Sequence, residues 1–143
     1  MSQQAAPPAT PYGTPISLAE AKRAMAAAEA EAAKNNLGMA IAIVDSGGNL
    51  VMLHRLENAQ LGSIRIAEDK ARTAVEFRRP TRVFEDAIGG GGIGMRVLTF
   101  GISGAEGGVP ILQDGKIIGA IGVSGGTSVQ DGAVAKAGVD ALG

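Results

Sequence analysis

The chain contains no cysteine and no tryptophan, and its 143 residues include a single histidine, one tyrosine and three phenylalanines. Without cysteine there can be no disulfide, no thiolate metal or haem ligand and no cysteine nucleophile. With aromatics at 3% there is no platform on which successive bases could stack. Charge of either sign is not in excess: 13 basic residues face 14 acidic ones, for a net charge of −1. Nothing therefore favours wrapping nucleic acid or docking on an anionic bilayer. No apolar run approaches the roughly 20 residues of a membrane span. The opening segment, MSQQAAPPATPYGTP, lacks the charged start and apolar stretch of a signal peptide. It reads as a disordered tail over residues 1–15, ahead of one domain at 16–143 in a cytoplasmic protein.

Glycine is plentiful, at 22 residues, and marks tight turns and close backbone approaches. Ser17-Leu18-Ala19-Glu20 has the form of a capping box, and the alanine-rich periodicity after it predicts a helix ending at Asn35-Asn36-Gly38. Residues 39–45 and 50–56 read as a hairpin around Ser46-Gly47-Gly48-Asn49, apolar enough to be covered on both faces. Residues 59–77 have a buried stripe of Leu61, Ile64, Ala67, Ala71, Ala74 and Phe77. Arg65/Asp69, Glu68/Arg72 and Arg72/Glu76 are spaced to pair outside it. Pro80 ends that helix and Thr81 is placed to cap a short one. A short strand is expected within 96–101. Asp114-Gly115 then turns a second hairpin spanning 109–123, and a last helix runs from about Val129 to Leu142, with Ser128 and Asp131 at its start. Hairpins joined by helices predict an α+β sandwich: a central antiparallel sheet of about five strands with helices on both faces.

Motifs of high specificity fail on inspection. The glycine run at 89–94 satisfies G-x-G-x-x-G but follows a helix, where a dinucleotide fingerprint follows a strand. Gly122-Val123-Ser124-Gly125-Gly126 fits G-x-S-x-G between a strand and a helix, yet no histidine follows Ser124 to complete a triad. His54 is the sole imidazole; it cannot build a closed zinc site, but a haem needs only one or two axial ligands. Arg55 points to the opposite face and needs an anionic partner, for which Asp45 is a candidate. Lys70 and Arg72 read as solvated helix charge. Glu106 is exposed among glycines, and Asp131 is an anion at a helix start. Arg55, Glu106 and Asp131 together form the candidate catalytic set of a cofactor-independent isomerase, tautomerase or lyase on a small organic acid. A third reading is a non-catalytic assembly protein, packed through its alanine-rich helix faces.

Several segments in order, SLAEAKRAMAAAEAEA, AIVDSGGNLVMLHRLENA, IAEDKARTAVEFRRPT and EGGVPILQDGKIIGAIGVSGG, resemble the GlcG/HbpS family, which includes the C-terminal domain of PduO-type proteins. The resemblance spans nearly everything from Ile16 to Leu142. It implies a profilin-like sandwich, homo-oligomers from dimer to octamer, and a small-molecule ligand: haem or another tetrapyrrole, or iron, with degradation of haem in some members. Carried over by position, it implies a ligand region at His54 and Arg55, at Lys70, Arg72 and Thr73, and at the turn holding Glu106, Gly107 and Gly108, with His54 as the metal ligand.

Overall fold

Alanine at helical spacing lets helices pack close to a sheet, and the chain uses this on both faces. The computed structural model describes residues 9–143. In chain order they form α1 (Leu18–Lys34), β1 (Ala40–Asp45), β2 (Leu50–Arg55), α2 (Gly62–Phe77), α3 (Arg82–Gly89), a 3-10 helix (Gly92–Phe100), β3 (Gly108–Gln113), β4 (Lys116–Ser124) and α4 (Ser128–Asp140). The sheet has four antiparallel strands in the order β2-β1-β4-β3. The expected fifth strand is the 3-10 helix instead. Gly91 and Gly101, both at positive φ, flank this segment and set the turns at its two ends, and none of its residues is buried. The helix expected from residue 59 starts at Gly62, after a turn.

Alternation along β1 divides the core. Ile41 and Ile43 face α1 and α4, joining Met25, Ile111, Ile121, Val123 and Val134. Ala40, Ala42 and Val44 face α2, joining Ala67, Ala71, Ala74 and Ala120. Both layers are closed over β1 and β4, as parity-two burial requires. β2 is an edge strand, and Leu50, His54 and Arg55 are exposed, so the coverage expected for both strands of the first hairpin holds only for β1. The second hairpin turns on Asp114 (φ 53°) and Gly115 (φ 75°), the two positive φ values of a type I′ turn.

Capping follows the expectation at α1, where Ser17 and Glu20 make a reciprocal box. At α4 the box is Thr127 with Gln130, one residue earlier than expected, which frees Asp131 for another role. Thr81 does not cap α3; its Oγ1 accepts from the Gly108 N–H at 2.9 Å and ties α3 to the start of β3. Of the expected tail, residues 1–8 lie outside the described residues. Pro11 and Gly13 exchange backbone hydrogen bonds with Ile117, and the Tyr12 hydroxyl donates to the Val75 carbonyl at 2.7 Å.

Candidate functional site

The register places Arg55, Ala40 and Ser124 side by side across three strands, and His54, Ile41 and Val123 beside them. His54 thus shares the α1 face with Ile41, while Arg55 shares the α2 face with Ala40. Both residues lie at the free edge of the sheet, where side chains of either face reach one groove of about 880 Å³. Its lining includes Ala33, Leu37, Leu53 and Leu56 as apolar surface, with Glu29, Asn36, Arg55, Glu57 and Asn58 as polar groups. Two loops flank it, brought together at Gly38: a Cβ there would lie 2.8 Å from the Asn58 carbonyl carbon.

His54 is half exposed, and its Nδ1 is bonded to the Glu29 carboxylate on α1. An ionised carboxylate only accepts, so Nδ1 carries the proton and Nε2 keeps its lone pair in the neutral ring. No hydrogen bond engages Nε2 among the described residues. Glu29 escaped the sequence reading because it sits on a helix whose other charges are solvated; only the three-dimensional neighbour singles it out. Arg55 makes no ion pair among the described residues. Its expected partner, Asp45, instead accepts from the Gly47 and Asn49 N–H groups at 2.9 and 3.0 Å and closes the first hairpin.

The remaining candidates gather elsewhere. Lys70 is not solvated but buried: its Nζ donates to Asp131 Oδ2 at 2.8 Å and to the Val123 carbonyl at 2.9 Å. Asp131 Oδ1 accepts from the Gly126 N–H at 2.8 Å. Burial pushes the Asp131 carboxyl up, against the opposing hydrogen bond and charge of Lys70. Gly107, at φ 135°, covers this pair so closely that a Cβ would meet Lys70 Nζ at 2.9 Å. Thr73 Oγ1 accepts from the Ser103 N–H at 3.0 Å. These groups join α2, β4, α4 and the loop before β3, and their polar atoms are already engaged within the chain. Arg72 lies on α2 beside the first hairpin's turn and pairs with Asp69 at 3.0 Å, not with Glu68 or Glu76; Arg65 pairs with Asp69 as expected, at 3.7 Å.

Glu106 stands apart from Asp131's bonds, its carboxylate lying against Gly132 on α4, in a smaller cleft of about 380 Å³. Its backbone N–H donates to Glu85 Oε1 at 2.8 Å. That bond, then the Ser128 hydroxyl, holds the Glu85 carboxyl below its ordinary value. Sequence reasoning missed the bond between Glu85 and Ser128, residues 43 positions apart in the chain. Ser124 Oγ is buried 3.5 Å from Ser63 Oγ, and no imidazole accompanies it. Among the described residues no three histidine, aspartate or glutamate side chains are grouped to hold a metal ion. No helix among them is long and apolar enough to cross a membrane.

Comparison with known proteins gives a consistent result. Residues 16–140 match the family model described as haem degrading protein HbpS-like. Protein GlcG of Escherichia coli K12 is 40% identical over 109 residues, covering 76% of this chain and 81% of GlcG. A double mutant of Streptomyces reticuli HbpS superposes with a TM-score of 0.82 at 28% identity, covering 100% of this chain and 98% of that one. A crystal structure of a PduOC:heme complex gives 0.80 at 28% identity, over 90% of this chain and 95% of that chain.

Proposed function

The chain belongs to the GlcG/HbpS family, and from that premise we propose that it is a haem-binding protein, with the tetrapyrrole seated in the groove at the free edge of β2. The observation that carries the proposal is His54 lining that groove with Nδ1 held by Glu29 and Nε2 left without a partner. The donor set fits the group. One imidazole is enough for axial ligation, whereas a bare iron ion needs several protein ligands, and no such cluster occurs among the described residues. At about 880 Å³ the groove lies within the roughly 300–1,000 Å³ range of small-molecule sites.

Haem would supply the iron centre and the apolar plate; the chain's residues do the rest. His54 presents the ligand nitrogen. Leu37, Leu53 and Leu56 offer apolar surface to the macrocycle edge. Arg55, without an internal anion, is available to a propionate, where a guanidinium can donate two parallel bonds. Asn36 and Asn58 add amide donors at the rim. The alternative of an organic-acid isomerase using Arg55, Glu106 and Asp131 has less support, since Asp131 is committed to Lys70 and Gly126, away from the groove that Arg55 lines. Equilibrium titration with haemin tests the proposal. The wild type should develop a Soret band at one equivalent, and Arg55→Ala should weaken binding about tenfold by removing the charge-assisted contact. Arg55→Ala binding as tightly as wild type would remove the arginine from the site.

A further inference from the structure

Glu29 adds a property to the site beyond placing an imidazole. Resting on the haem-binding reading above, we infer that the Glu29–His54 contact makes the groove selective for ferric over ferrous haem, with Glu29 as the positioning residue.

Two observations converge. A carboxylate bonded to the outer nitrogen of a ligating imidazole fixes its tautomer and raises its basicity as a donor. A more basic axial ligand favours the more positively charged iron, and hydrogen bonding to the axial ligand is one of the protein's levers on haem potential. The charges lining the groove act in the same direction. Glu29 and Glu57 are anionic and Arg55 is the one cation among its lining residues. With Arg55 engaged by a propionate, the remaining field is negative and stabilises the extra charge of Fe(III). Lys34, the nearby cation on α1, already faces Glu31 at 3.3 Å.

The single histidine makes the test direct, because the chain's imidazole ¹⁵N spectrum contains one ring. In the unloaded wild type, at a pH where the ¹⁵N shifts report a neutral ring, that ring should carry its proton on Nδ1. Glu29→Gln should keep that tautomer, since the amide oxygen still accepts, and Glu29→Ala should lose it. A neutral wild-type ring protonated on Nε2 overturns the inference. Spectroelectrochemistry of the haem-loaded proteins reads the selectivity. Glu29→Gln should lower the ferric-over-ferrous preference about tenfold, an upward midpoint shift of about 59 mV for a one-electron couple. An unchanged midpoint, with haem still bound through His54, overturns the inference and leaves haem binding intact. A wild type whose haem spectrum is indifferent to His54→Ala overturns both.

Discussion

Lys70 and Asp131 form an ion pair buried within the fold. Both are almost fully buried, and the ammonium meets a carboxylate and a strand carbonyl at once. Asp131→Ala would leave a buried cation without its counter-charge, and chemical denaturation should register a loss of about 3–5 kcal/mol. The double variant Lys70→Met with Asp131→Leu should be less damaging than that single change, because neither charge remains to be desolvated. Glu85 carries a pH dependence of definite sign. Its folded carboxyl is held below the ordinary 4.5, first by the Glu106 N–H and then by Ser128. On acidification the unfolded chain binds this proton first, so stability is lost as pH falls from that ordinary value through the lower folded one. Thermal melts across that range should fall less steeply for Glu85→Gln than for the wild type. At this scale the placement of His54 and Arg55 side by side on one strand was legible in the sequence. Glu29, Glu85 and the Lys70–Asp131 pair were not, because each depends on a partner 21 to 61 residues away.

The contact between α2 and the sheet depends on one missing methyl group. A Cβ on Gly122 would lie 2.1 Å from the Ala67 carbonyl oxygen and 2.5 Å from the Ala71 nitrogen, both on α2. Neither backbone atom can yield without moving the helix, so Gly122→Ala should destabilise by about 1–3 kcal/mol or more, measurable as a lowered denaturation midpoint at unchanged slope. The same glycine had looked like part of a nucleophile motif; here it serves packing. Elements were largely readable in advance, because capping at Ser17 and the Asp114-Gly115 turn are local signals that need no tertiary context. The segment after the glycine run was not. Its apolar residues suggested a strand, but between the positive-φ glycines 91 and 101 it winds into a 3-10 helix with none of its residues buried.

That unburied helix bears on the molecule as a whole. Ile93, Met95, Leu98 and Phe100 are all exposed, Ile93 at 80%, which is unusual for a patch facing only water. The homo-oligomer that the family resemblance implies can be tested on this surface: light scattering is expected to return a mass above the 14.3 kDa of one chain, and Ile93→Asp with Leu98→Asp to lower it. An unchanged mass would move the association surface elsewhere. The antiparallel sheet with helices on both faces followed from hairpins and alanine periodicity, while the strand order, and with it the groove at the β2 edge, needed the folded structure to show which strand of the hairpin is outermost.

The account as a whole stands on one nitrogen atom. Haemin added to wild type and to His54→Ala, followed through the Soret region, measures it most directly. The account predicts a saturable, shifted band for the wild type and its loss in the variant while circular dichroism stays the same. An identical band and affinity in both proteins would contradict it.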